Sequence, residues 1–138
     1  VYLSPGTGII SDFGYASKFT DETFIPAGLL MTRVVSHGGP GLFTLDLGYK
    51  GIAADPPGLK GCLMGDWHAS PINQNEEHWI WKMDEGYEDQ RPGIGSVLYV
   101  IPTHICPTSA LYPEALVALD GQIVDIWEVT ARNRKLSI

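Results

Sequence analysis

Apolar residues along this chain come in short bursts, each cut off by glycine, proline or an acidic residue. After the turn-forming residues 4–8, residues 9–12 (IISD) read as a short β-like run. Residues 28–36 (GLLMTRVVS) carry the first long strand pattern, and its nearly continuous apolar character predicts a strand covered on both faces, or a bent one. The Gly-Gly-Pro-Gly cluster at 38–41 forces a turn before 42–46 (LFTLD), which alternates as a second strand. Shorter pieces follow at 51–54 and 61–64, divided by Asp-Pro-Pro-Gly at 55–58. Residues 78–82 (HWIWK) read as an aromatic strand, 84–95 as an acidic surface loop, and 96–102 (SVLYVIP) as a buried strand running straight into His104. Finally, 115–119 and 122–130 flank Asp120-Gly121, a pair suited to the type I′ turn of a β-hairpin. With no amphipathic helical period and turn signals at short intervals, the pattern predicts an all-β domain. A small antiparallel β-barrel or a sandwich fits it.

Composition narrows the class. The 138 residues suit one domain, 1–138, with enough apolar content for a core that needs no staples. Nine basic residues against 16 acidic ones give a net charge of −7, the wrong sign for tracking phosphates, so nucleic acid is not an expected partner. No apolar run is long enough to span a bilayer, and no charged start leads into an apolar signal segment. Cys62 and Cys106 could form one disulfide, but their contexts differ, and a reduced cytoplasmic setting is the expectation. The first residue is Val1 rather than Met, which fits a processed chain or an excised domain.

One pair carries chemistry. In an extended segment residues two apart point to the same side, so His104 and Cys106 would present an imidazole nitrogen and a thiolate to one spot, with Ile105 turned away. Those ligand types suit zinc, and two are too few for a structural site. Either other protein groups complete the shell, or solvent and substrate do, as at a catalytic metal. The plainer alternative is a core cysteine beside a hydrogen-bonded histidine.

The surrounding tract, residues 100–108 (VIPTHICPT) followed by Leu111-Tyr112, resembles the metal-binding tract of the D-threonine aldolases and D-serine dehydratases. The likeness continues in family order through Leu3-Ser4-Pro5-Gly6-Thr7, Thr32-Arg33-Val34-Val35-Ser36, Asp46-Leu47-Gly48-Tyr49-Lys50 and Asn75-Glu76-Glu77-His78. It ends in 124–136, with Trp127 and Ala131-Arg132-Asn133-Arg134. The match is closer to the aldolases. The resemblance implies an alanine racemase-like enzyme: an N-terminal (β/α)8 barrel carries pyridoxal phosphate on a lysine, a C-terminal β-domain closes the site, and the full-length enzyme is a homodimer. It further implies that His104 and Cys106 hold a divalent metal, zinc or manganese, against the β-hydroxyl of a D-3-hydroxy amino acid. Polarising that oxygen would assist retro-aldol cleavage or dehydration, with the cofactor as electron sink. The barrel lies outside this sequence, so Lys18, Lys50, Lys60, Lys82 and Lys135 are not expected to carry the cofactor, and the isolated chain is not expected to be catalytic.

Other candidates are subordinate. Glu76 and His78 offer a general base or a partner that orients a ligand histidine, against an exposed acidic turn. Asp46 reads as a strand-end cap rather than a buried acceptor. His37 and His68 fall in loops and are expected to be exposed. Tyr2, Tyr15, Tyr49 and Tyr112 could line a cofactor cleft, although packing is the commoner use of such residues. Gly6-Thr7-Gly8 resembles a phosphate loop only superficially, since no helix pattern follows it. Two other functions remain open: a stand-alone β-barrel binding module, and a self-contained zinc hydrolase using His104, Cys106 and a further His or Glu such as His78.

Overall fold

The computed structural model describes residues 2, 6–21, 23–133 and 135–136. Among the described residues eight strands are formed: β1 (Leu30–Gly39), β2 (Leu42–Leu45), β3 (Gly61–Leu63), β4 (Ala69–Gln74), β5 (Trp79–Met83), β6 (Val97–Pro102), β7 (Glu114–Leu119) and β8 (Gln122–Glu128). Two short helices accompany them, α1 (Phe13–Lys18) and α2 (Ile105–Ser109). The first six strands make one antiparallel sheet in the order β3-β6-β1-β2-β5-β4, and β7 pairs only with β8.

Alternation drives this sheet. Along β1, Leu30, Thr32 and Val34 turn inward while Met31, Arg33 and Val35 face outward, and in β5 Trp79, Trp81 and Met83 are the inward residues. Cross-strand register then stacks like on like: Leu45 lies opposite Trp79, Phe43 opposite Trp81, and Leu30 opposite Val100. The resulting core holds Phe43, Leu45, Val34, Val100, Ile52 and both tryptophans. β1 is half-buried rather than covered on both faces. Register shifts after Val34 and Ser36 give it the bend that the other sequence reading anticipated.

Several expectations are corrected. The sheet curls into an open half-barrel, not a closed small barrel, because β3 and β4 at its two edges do not pair. β3 spans only three residues, and β4 carries Pro71, which has no N–H to offer a further strand. Residues 51–54 are not a strand; Ile52 and Ala53 are buried there as part of a loop. The run 9–12 is not β either. A 3-10 turn occupies Gly6–Ile9, Ser11 adopts a positive φ of 59°, and Asp12 caps α1. The family-like residues Leu3, Ser4, Pro5 and Arg134 lie outside the described residues.

The terminal hairpin forms as the Asp-Gly pair predicts, with Asp120 at φ 50° and Gly121 at φ 77°. Its strands stand clear of the core: Leu116, Leu119, Ile123, Val124, Ile126 and Trp127 are all more than half exposed.

Candidate metal-binding tract

Strand β6 delivers the chain to His104, and there the extended period stops. His104 is the N-cap of α2, with φ −136° and ψ 101°, and Cys106 is the second residue of the helix. The sequence expectation of a continuous strand through the pair is therefore corrected. Pro107 sits in the first turn of α2, where its missing N–H costs no helical hydrogen bond. Ile105 is buried between its neighbours, whereas Cys106 is exposed and His104 half-exposed. Both candidate ligands thus remain accessible on either side of one anchored residue.

Contacts from three segments fix this tract. Asp12, itself buried, accepts from Tyr15 N–H at 2.9 Å and from Ile105 N–H at 3.0 Å, so a single carboxylate closes the N-termini of both helices. Gly14 N–H donates to Thr103 O at 3.1 Å, and any side chain there would collide with that carbonyl. Thr108 Oγ1 donates back to His104 O at 2.7 Å and accepts from Ala53 N–H at 3.1 Å. Thr103 Oγ1 donates to Leu59 O at 2.8 Å.

The two side chains have polar neighbours of their own. His104 Nδ1 lies 2.6 Å from Asp55 Oδ2, and Cys106 Sγ lies 3.3 Å from Thr7 Oγ1. Among the described residues His104 Nε2 has no hydrogen-bond partner. One free imidazole nitrogen and one accessible thiol suit a borderline metal such as zinc, so the donor set fits the implied ion. Among the described residues, however, no three or more His, Cys, Asp and Glu side chains gather as a metal cage. The self-contained zinc site with His78 as third ligand is not formed.

Glu76 and His78 lie on an exposed turn between β4 and β5. Asn75 Oδ1 accepts from Glu77 N–H and His78 N–H, and Gly48 packs directly on the Glu76–Glu77 peptide. Lys50 reaches Glu77 at 2.5 Å and Glu76 at 3.8 Å. The hydrogen bond and charge of Glu77 hold the Lys50 ammonium above its ordinary pKa, and Lys50 in return lowers that of Glu77. Lys50 is thus an ion-paired surface residue.

Asp46 sits at the end of β2 and closes that strand end against the neighbouring strand rather than serving as a buried acceptor. It is exposed, and accepts from Thr32 Oγ1 and Arg33 N–H of β1, both at 2.7 Å. His37 and His68 are half-buried rather than exposed; His37 Nε2 meets Pro92 O at 2.9 Å and His68 stacks on Tyr87. Tyr2, Tyr15 and Tyr49 are exposed. Tyr112 donates to Gly51 O at 2.8 Å, and burial, with the Asp46 charge, raises its phenol pKa. Tyr49 also borders a cleft of about 320 Å³ with Lys60, Asn73, Gln74 and Trp79, between the segments leading to the two unpaired sheet edges.

Sequence reasoning missed Asp12, Thr7 and Asp55. Asp12 falls in a run that reads as β and Asp55 in a Pro-Gly segment, and nothing in the local pattern around any of the three points to residues 104–106.

An open, curled antiparallel half-barrel with a separate terminal hairpin defines the class as an all-β domain. The chain belongs to the putative serine dehydratase domain family, whose model matches residues 27–118. It is 32% identical over 135 residues to a D-threonine aldolase of an Arthrobacter species, covering 95% of this chain and 34% of that protein. An uncharacterized protein of Mycobacterium tuberculosis is 27% identical over 119 residues, and there the match takes in 86% of the relative. Among solved structures, D-threonine aldolase from Filomicrobium marinum superposes with a TM-score of 0.79 at 22% identity, over 92% of this chain and 34% of that one. D-threo-3-hydroxyaspartate dehydratase from a Delftia species gives 0.60 at 22% identity, over 72% and 31%. Similar solved structures also include a D-threo-3-hydroxyaspartate dehydratase as a histidine-to-alanine variant and, metal-free, as a cysteine-to-alanine variant, the altered positions being numbered two apart. This chain thus spans about a third of the aldolases and the dehydratase. Among the described residues no helix is long and apolar enough to cross a membrane.

Proposed function

We propose that this chain is the metal-bearing C-terminal domain of a pyridoxal phosphate-dependent lyase acting on D-3-hydroxy amino acids, and that it is inactive alone. The observation that carries the reading is the His104-x-Cys106 pair, held accessible on a tract anchored by Asp12 and Thr108. Its spacing equals that of the histidine and cysteine altered in the dehydratase structures, one of which is metal-free. His104 Nε2 and Cys106 Sγ would hold the ion, and solvent, substrate or the barrel domain would complete its shell. Such an ion supplies Lewis acidity toward a hydroxyl oxygen. This chain contributes the rigid edge that places the two ligands. Polypeptide beyond this chain would supply the (β/α)8 barrel, its lysine and the cofactor. Glu76 and His78 are left as rim residues, since Lys50 and Asn75 already engage their turn.

In the polypeptide that includes the barrel, His104→Ala or Cys106→Ala should abolish metal-dependent cleavage of D-threonine while the cofactor's absorbance persists. Wild-type turnover by either variant in chelator-treated buffer would overturn the assignment. So would lyase activity of the 138-residue chain alone with added pyridoxal phosphate.

A second reading has one observation in its favour. The mycobacterial relative is matched over most of its own length, so a protein of nearly this size occurs in the family. On that reading the domain is a separate β-module whose tract binds without catalysis. The sequence encoded upstream of Val1 separates the two: about 230 further residues would be enough for a (β/α)8 barrel.

A further inference from the structure

Asp55 stands out as a carboxylate with a specific target that the proposed function does not yet use. Its Oδ2 lies 2.6 Å from His104 Nδ1, across 49 residues of sequence. A carboxylate only accepts hydrogen bonds, so the imidazole must donate from Nδ1, and its lone pair is then confined to Nε2. Nε2 is the nitrogen left without a partner among the described residues.

Asp55 is itself held from both sides. Lys60 Nζ donates to the carbonyl of Ala54 at 2.9 Å and also to the carbonyl of Pro56, the residues immediately before and after it. Lys60 in turn precedes β3, and its own carbonyl accepts from Thr103 N–H at 2.8 Å, next to His104. The loop carrying Asp55 and the strand end carrying His104 are therefore tied through one lysine, by both its side chain and its backbone. Two prolines, Pro56 and Pro57, follow Asp55 and reduce the loop's freedom further.

We propose that Asp55 is the positioning residue of the metal tract: it sets the His104 tautomer and ring orientation so that Nε2 faces outward for a divalent cation, and Lys60 holds the Asp55 loop in place. The inference rests on the metal reading of His104 and Cys106 and deepens it. Hydrogen bonds of this kind from a ligand histidine to a carboxylate fix the ring and raise its basicity, and losing the partner typically weakens metal binding about 10- to 100-fold. Asp55 is more than half exposed, so replacing it leaves no cavity in the core.

The test uses the 138-residue chain, 15N-labelled at histidine and free of metal, with His104→Ala to assign the ring signals. At about pH 8, where an ordinary histidine is neutral, long-range 1H–15N correlation should show His104 as the Nδ1–H tautomer in the wild type. Asp55→Ala should shift it to a mixture, while Asp55→Asn, whose amide oxygen can still accept, should largely keep it. Zinc ion alone is then titrated against each variant, following His104 Nε2. Asp55→Ala should lose about 10- to 100-fold in affinity, and Lys60→Met should move in the same direction by less. An Nε2–H tautomer in the wild type overturns the inference whatever zinc does. Equal zinc affinity of wild type and Asp55→Ala overturns it as well. Failure of millimolar zinc to perturb His104, with the Nδ1–H tautomer intact, instead sinks the metal reading for this chain and the metal-directed half of the inference. The orientation by Asp55 would then survive as a property of the fold.

Discussion

Removing the Asp12 carboxylate should loosen the whole tract around His104 and Cys106, because one side chain serves two helices. In the native fold Asp12 is 1% exposed and accepts from Tyr15 N–H and Ile105 N–H. Asp12→Ala leaves both donors without their partner. An unsatisfied buried donor costs about 1–3 kcal/mol, and loss of an N-cap about 0.5–2 kcal/mol. Relief of the carboxylate's own burial offsets part of this, since a buried charge is costly to keep from water. A net destabilisation of about 2–4 kcal/mol is expected, a large share of the ~5–15 kcal/mol that holds a typical domain together. Asp12→Asn keeps one acceptor oxygen and turns an amide N–H₂ toward the other donor, so it should recover about half of the loss. Urea unfolding gives the free energies, and amide exchange at Tyr15 and Ile105 localises them. Both amides should lose protection in Asp12→Ala ahead of the Phe43 and Trp81 amides in the sheet. A change below about 0.5 kcal/mol, the scatter of ordinary surface substitutions, with Ile105 still protected, would refute the double-cap account.

Four further outcomes follow from the same geometry. Gly14→Ala should detach α1 from Thr103 and lower stability by more than the usual helix-propensity gain of ~1 kcal/mol for removing glycine, because the added Cβ collides with the Thr103 carbonyl; a more stable variant by thermal melt would contradict the close packing. Cys106, being exposed, should react rapidly with a disulfide reagent and be protected by zinc, whereas Cys62 is half-buried and should react slowly. Burial raises the Cys62 thiol above its ordinary value of 9.0, so as pH rises past 9.0 the unfolded chain loses that proton first. Stability should then fall with pH up to the folded-state pKa, and Cys62→Ala should remove that part of the alkaline slope in urea titrations. Finally, Phe43→Ala in the fully buried core should cost about 3–5 kcal/mol, while Ile126→Ala on the exposed hairpin should stay within about 0.5 kcal/mol; comparable losses would mean that the hairpin's apolar face is covered in solution.

The strands were legible because their determinants are local. The apolar run at 28–36, the aromatic run at 78–82, the Asp-Gly turn at 120–121 and the run into His104 each depend on neighbours a few positions away. The same holds for recognising His104-x-Cys106, where residue type and order suffice. Closure of the barrel was not legible, since it depends on whether β3 and β4, separated by the whole width of the sheet, meet. Nor was the break in geometry at His104, because the α2 cap comes from Asp12, 93 residues before Ile105.

The sequence by itself thus determined the all-β class, the family and the His104-x-Cys106 spacing. Only the tertiary structure decided what surrounds that pair: an open half-barrel, a helix start held by Asp12, and the Asp55 carboxylate of a distant loop 2.6 Å from the His104 ring. The physical reason is that patterns record which face a side chain prefers. The hydrogen bonds that fix a site join chemically ordinary residues whose proximity exists only once the chain has folded.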